Sequence, residues 1–122
     1  MEKFKQEYTL EQRIKQSGNL IEKYDDRIPV IIHPGNNNTP VADKYKYLIP
    51  NNLTVGEFVS IIRKRIKLDS KQAMFIFIGN VLPPTGSLLY NIYQEHHDED
   101  GFLYIVYSLE NTFGSDTFFK VL

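Results

Sequence analysis

Residues 43–66 read DKYKYLIPNNLTVGEFVSIIRKRI, and the two halves of this stretch obey different periods. In the first, Lys46 and Leu48 fall on one face of an extended chain while Tyr45, Tyr47 and Ile49 fall on the other. That alternation predicts a strand over 45–50, and its terminal Pro50 suits a sheet edge, where a missing N–H breaks no ladder bond. In the second half, Thr54 followed by Glu57 is a capping-box pattern. It opens a helix whose Val55, Phe58, Val59, Ile62 and Ile66 make an apolar stripe, with Arg63, Lys64, Arg65 and Lys67 crowding the last turn.

Upstream, Thr9 and Gln12 form another capping box, and Leu10, Ile14, Ile21 and Tyr24 fall near one face of a helix predicted over 9–24. Gly18 in its middle costs up to about 1 kcal/mol relative to Ala, so this helix needs tertiary packing. Ile28, Val30 and Ile32 alternate with Pro29, Ile31 and His33 as a strand, and the run HPGNNNTP ends it in a loop expected to be flexible. Downstream of the central helix, 74–78 reads as a strand, Gly79-Asn80 as a turn and Val81-Leu82 as a short return stopped by Pro83-Pro84. A short helix over 87–94 and a strand over 102–109 follow, the latter apolar enough to lie in the middle of a sheet. The remainder, 110–122, shows no period and reads as a tail.

A hairpin combined with crossover helices makes the class α+β, and one sheet wrapped around the 54–67 helix makes it a β-grasp. At 122 residues the chain is one domain with a helical extension at 1–24, a β-grasp body at 25–110 and a flexible tail at 111–122. With 42% hydrophobic residues and no Cys, it can bury a core without disulfides and has no thiolate of its own for catalysis. The net charge of -1 argues against a general polyanion binder, so no nucleic-acid partner is expected. No apolar run approaches the length of a bilayer span, which points to a cytoplasmic protein.

Standard catalytic signatures are missing, and no catalytic residue or metal site is expected. The cluster His96-His97-Asp98-Glu99-Asp100 carries ligand chemistry, yet adjacent side chains of one short segment point apart and cannot close a site alone. A solvated acidic turn describes it better, and a small hydrolase using His96 or His97 is the weakest reading. Pro29, Lys46, Leu48 and Phe102 come from three neighbouring strands of the proposed sheet. Beside an unpaired edge they could line an apolar pocket that receives a peptide by strand addition, although spacing alone fits ordinary side-chain cover of a sheet equally well.

The segments KYDDRIPVI, DKYKYLIPNNLTVGEFVSIIRKRI, IGNVLPPT and YQEHHDEDGFLYIVYSLENTFG resemble, in order and spacing, the ubiquitin-like autophagy modifier family that includes the GABA(A)-receptor-associated protein. The likeness runs from about Phe4 to Gly114. It implies a precursor cut by a cysteine protease between Gly114 and Ser115, then passed by activating and conjugating enzymes to phosphatidylethanolamine on autophagosomal membranes. It also implies recruitment of cargo receptors through short aromatic-x-x-aliphatic motifs. By the same resemblance the aromatic pocket would use Leu20, Pro29, Lys46, Leu48 and Phe102. The aliphatic pocket would use Tyr47, Ile49, Pro50, Leu53, Phe58, Ile61 and Ile62, with Lys44, Lys46 and Arg65 as a charged rim. No cofactor is implied.

Three features depart from the family: a loop near 34–42 about two residues shorter, Gly18 in the first helix, and an eight-residue tail after Gly114 rich in apolar residues. Phe119 with Leu122, and Phe118 with Val121, repeat the aromatic-to-aliphatic spacing. The tail could therefore offer itself to a docking groove of this or a neighbouring molecule, with self-association as the consequence, although a frayed stub is the reading that termini favour. The alternative to a lipidated modifier is a peptide-binding or microtubule-associated adaptor, with tubulin as its partner, that is never lipidated.

Overall fold

The computed structural model describes residues 3–69 and 71–109 and the backbone of 120–121. Its elements are α1 (Lys3–Glu7), α2 (Leu10–Lys23), β1 (Arg27–Pro34), β2 (Lys46–Pro50), α3 (Val55–Arg65), β3 (Phe75–Phe77), β4 (Val81–Leu82), α4 (Leu89–His96), β5 (Leu103–Ser108) and β6 (Lys120–Val121). Four strands form one sheet in the order β2-β1-β5-β3. β2 and β3 pair antiparallel to their neighbours, and the central β1 and β5 run parallel. The apolar 102–109 run thus lies inside the sheet and β2 lies at its edge, as their sequences predict.

Both capping boxes are made. Thr9 Oγ1 accepts from Gln12 N while Thr9 N donates to Gln12 Oε1, and Thr54 with Glu57 repeats the exchange. Reciprocal capping satisfies two amides that a helix start otherwise leaves open. The next amides of α3 are taken by a neighbouring loop: Val55 N donates to Ser87 O and Gly56 N to Thr85 O, both at 2.9 Å. That contact seats α3 against the concave face of the sheet. Between them lies the core, built on Val55, Phe58 and Ile62 of α3, Val30 and Ile32 of β1, Leu103, Ile105 and Tyr107 of β5, and Leu89 and Ile92 of α4.

Four expectations need correction. The face of α2 carrying Leu10, Ile14, Ile21 and Tyr24 does not pack inward; these residues are 37 to 47% exposed. The helix instead buries Arg13 and Ser17, because it docks on a polar turn before β5. The shift of the last helix to 89–96 and of β2 to begin at Lys46 are boundary differences. Tyr45, outside β2, leaves the alternation and packs between the two apolar clusters. The 34–42 loop, expected to be flexible, is tied by Asn36: its side chain donates to Ser108 Oγ and accepts from Asn38 N and Thr39 Oγ1. Lys120 and Val121, which show no strand period, pair with β4 in a second, two-stranded sheet.

Candidate functional site

Among the described residues β2 pairs with β1 alone, so its outer side is a sheet edge of the kind that can accept another strand, crossed by one long bond in which Arg27 Nη1 donates to Leu48 O at 3.4 Å. The register Pro29↔Leu48 and Ile31↔Lys46 sets these residues side by side on the face turned toward α2. Phe102, just before β5, continues that face across β1. It forms a small apolar cluster with Phe4 and Ile31, against which Leu20, Tyr45 and Tyr104 pack. All five residues expected in the aromatic pocket therefore share one side of the sheet. Pro29 is buried, Leu20, Lys46 and Leu48 are half-buried, and Phe102 is fully buried.

Phe102 is covered because Phe4 of α1 stands edge-on against it, the ring centroids 5.0 Å apart at 73°. Phe4 is only 1% exposed, a role that nothing in its neighbouring sequence signals. Phe102 is thus floor rather than open wall. Lys46 is also held: its Nζ donates to Gln16 Oε1 at 3.0 Å and lies 5.6 Å from the centre of the Phe4 ring. Of the expected rim, Lys44 and Arg65 are exposed and Lys46 is half-buried.

Most residues of the set expected to line the aliphatic pocket are buried in the core. Tyr47, Ile49, Phe58 and Ile62 are core residues, Leu53 and Ile61 pack half-buried against that core, and Pro50, also half-buried, shares the strand parity of Lys46 and Leu48. The reason is period: every second residue of β2 points to α3, and the central stripe of α3 points back, so those side chains bury one another. Tyr47 stacks edge-on against Phe58 at 6.0 Å, and its buried hydroxyl has no hydrogen-bond partner among the described residues. Burial raises the Tyr47 phenol above its ordinary pKa, and the nearby Arg65 charge works against that rise.

The acidic turn is not simply solvated. Asp100, 1% exposed, accepts from Arg13 Nη1 at 2.6 Å, from Phe102 N at 2.8 Å and from the Tyr104 hydroxyl. Ser17 Oγ donates to the Asp100 carbonyl at 2.6 Å. Gly101, with φ 88°, comes so near Ser17 that a Cβ there would clash. The cluster therefore fixes both α2 and Phe102, and so supports from beneath the face on which Pro29, Lys46 and Leu48 lie. Burial and the hydrogen bond to Asp100 push the Tyr104 phenol far up. Next to it, Asp98 accepts from Lys5 Nζ at 3.0 Å. Burial alone would raise the Asp98 carboxyl, but Lys5, the Asp100 amide and Arg13 outweigh it and hold the group below the usual range.

His97 stacks on Tyr93, with 5.0 Å between ring centroids, and its Nδ1 lies 2.9 Å from the Tyr93 carbonyl. Among the described residues no group of three or more His, Cys, Asp or Glu could hold a metal ion. Arg63 likewise acts locally, its guanidinium donating to Gln72 O and Asp69 O and so closing the loop after α3. Gly114 and Ser115 lie outside the described residues. So do the side chains of 118–122; the backbone of 120–121 runs beside β4 rather than along the β2 edge.

Residues 12–114 match the family described as autophagy protein Atg8, ubiquitin like. The chain belongs to that family. Autophagy-related protein 8a of Arabidopsis thaliana is 56% identical over 115 residues, covering 93% of this chain and 94% of the relative. Autophagy-related protein 8 of Kluyveromyces lactis is 52% identical over 118 residues, covering 96% and 95%. Among solved structures, Trypanosoma brucei ATG8 superposes with a TM-score of 0.84 at 37% identity, covering 88% of this chain and 94% of the other. Plasmodium falciparum Atg8, solved in complex with a Plasmodium falciparum Atg3 peptide, gives 0.83 at 36% identity, covering 90% and 98%. The Atg8 fold with its N-terminal helices is what the sequence predicts, and the chain is an autophagy protein of ubiquitin-like architecture. No helix among the described residues is long and apolar enough to cross a membrane.

Proposed function

We propose that this Atg8 family member is a modifier rather than an enzyme: it is trimmed after Gly114 and conjugated through that glycine to phosphatidylethanolamine. On the autophagosomal membrane it recruits cargo receptors carrying aromatic-x-x-aliphatic peptides. The observation that carries the docking part is the β2 edge, unpaired among the described residues and flanked on one face by Pro29, Leu48 and Leu20 and on the other by Leu53 and Ile61. An extended peptide laid along β2 gains backbone bonds, and side chains on the two faces of its own pleat reach opposite flanks. Lys44 and Arg65 add positive charge for acidic residues beside the motif, which speeds and orients encounter more than it adds affinity. The peptide-bound Plasmodium relative supports the reading, and a segment of the conjugating enzyme is one further peptide this edge would take.

Gly114 suits the conjugation because a residue without a side chain, on an extended arm, fits the narrow clefts of a protease and of transfer enzymes. Those enzymes provide the thiols, since this chain has no Cys. The docking part is tested by calorimetric titration of an aromatic-x-x-aliphatic peptide: Leu48→Ala should weaken binding about 30-fold, the loss of a central anchor worth about 2 kcal/mol. Lys44→Ala should weaken it less, with an effect that vanishes in high salt. Unchanged affinity in a folded Leu48→Ala protein removes the docking assignment. The mass of the C-terminus recovered from cells tests trimming, and a Gly114→Ala protein that still reaches membranes would favour the non-lipidated adaptor, tubulin binding included.

A further inference from the structure

β4 and β6 make a second, parallel sheet in which Val81 lies opposite Lys120 and Leu82 opposite Val121. The geometry of the preceding turn gives β4 a defined outer edge. Val81 exchanges both of its backbone bonds with Ile78, at 3.0 and 3.2 Å. The N–H and C=O of Leu82, one residue on, therefore face away from β3. Pro83, buried and without an N–H, ends the edge. β4 is antiparallel to Ile78 and β3 is antiparallel to β5, so β4 runs parallel to β5 on the side of the sheet away from β2. A segment that follows β5 can join β4 in parallel only after a return along the sheet, and such returns take about ten residues or more. Ten residues, 110–119, separate Leu109 from Lys120, and Gly114 is the fifth of them.

We propose that the outer edge of β4 is a second strand-receiving site, filled in the uncut chain by its own C-terminus and opened to other extended segments when the chain is cut after Gly114. The partner it fits is an apolar extended segment of the chemistry of Thr117-Phe118-Phe119-Lys120-Val121-Leu122, running parallel to β4. A two-residue register binds weakly, so occupancy depends on the tether: a linker of only ten residues holds its end at an effective concentration of the order of millimolar. Cutting between Gly114 and Ser115 removes the tether, and the edge becomes available to whatever segment is abundant or itself tethered nearby. The biological use of this switch rests on the trimming proposed above; the self-pairing and its loss do not.

Three proteins test it by nuclear magnetic resonance: the uncut chain, a chain ending at Gly114, and a chain ending at Phe119, which loses β6 while keeping the Gly114-Ser115 bond. The Leu82 amide should exchange with solvent at least threefold more slowly in the uncut chain than in either shortened form. The synthetic hexapeptide of residues 117–122, at millimolar concentration, should shift the Val81 and Leu82 amides of the chain ending at Gly114. The uncut chain should respond at least threefold less. Equal Leu82 exchange in all three proteins overturns the proposal. So does a peptide response confined to residues 46–50, which would put the segment on the β2 edge, or one equal in uncut and shortened chains. Leu48→Ala should leave the Leu82 measurement unchanged, so failure of the β2 docking reading and failure of this one are told apart.

Discussion

Replacing Asp100 by Asn should cost about 3 kcal/mol of stability, because it takes one charge from a buried pair and leaves Arg13 with a side chain only 11% exposed and no counter-charge. Urea unfolding reads the change directly, and a loss under about 1 kcal/mol would mean that Arg13 reaches solvent once released. The same variant should weaken the peptide binding proposed for β2, since Asp100 also takes the Phe102 N–H beneath the proposed aromatic pocket. Tyr47 gives the opposite expectation. Its hydroxyl is buried without a partner among the described residues, so Tyr47→Phe removes a desolvated group and no bond. The variant should match or exceed the original stability by up to about 1 kcal/mol, and a clear loss would reveal a bond made in solution. Neither residue's environment can be read from its local sequence. Asp100 ends a run of six His and acidic residues that reads as solvated, and its partner Arg13 stands 87 positions away.

At the scale of elements, local signals carry furthest. The two capping boxes mark the starts of α2 and α3 to the residue, because the contacts that make them span three positions. The edge position of β2 is readable from Pro50, and the central position of β5 from its unbroken apolar run. The buried face of α2 is not readable, because periodicity reports where apolar side chains fall while this helix docks through Arg13 and Ser17 on a polar turn. Nor is α1: its apolar anchor, Phe4, makes sense only against Phe102 nearly a chain length away. The end of α3 carries a prediction of its own. Lys67 adopts φ 54°, Leu68 N donates to Arg63 O at 3.1 Å and Lys67 N to Lys64 O at 3.3 Å, the paired bonds of a Schellman cap. A side chain in the left-handed region is strained, and glycine is not, so Lys67→Gly should stabilise the protein by about 0.5 to 1 kcal/mol after the entropy of the unfolded glycine is counted. Thermal unfolding checks it, with a lowered midpoint as the contrary result.

Across the whole molecule, the N-terminal helices are fastened to the β-grasp body by charge as much as by apolar contact. Lys5 Nζ donates to Asp98 and lies 4.5 Å from the centre of the Tyr104 ring, while Phe4 beside it closes over Phe102. α1 has five residues, too few to hold a helix in isolation, so its order depends on these contacts. Asp98 is the titratable member that acid reaches. Its carboxyl is held below the ordinary value in the folded protein, so its contribution is complete above the ordinary carboxylate range and is lost as pH falls through the depressed value. Protonation releases Lys5 but leaves the apolar core between the sheet and α3 unaffected. On acidification the amides that close α1, such as that of Tyr8 on Phe4 O, should therefore lose hydrogen-exchange protection before those of β1 and β5, and Asp98→Asn should show the released state already at neutral pH. The order matters for the proposed docking, because Lys46 Nζ lies over the Phe4 ring and α1 therefore adjoins the proposed aromatic pocket. If α1 and the central strands lost protection together, and Asp98→Asn left α1 as protected as before, Phe4 alone would be holding the helix and the ion pair would be a surface contact of little energy.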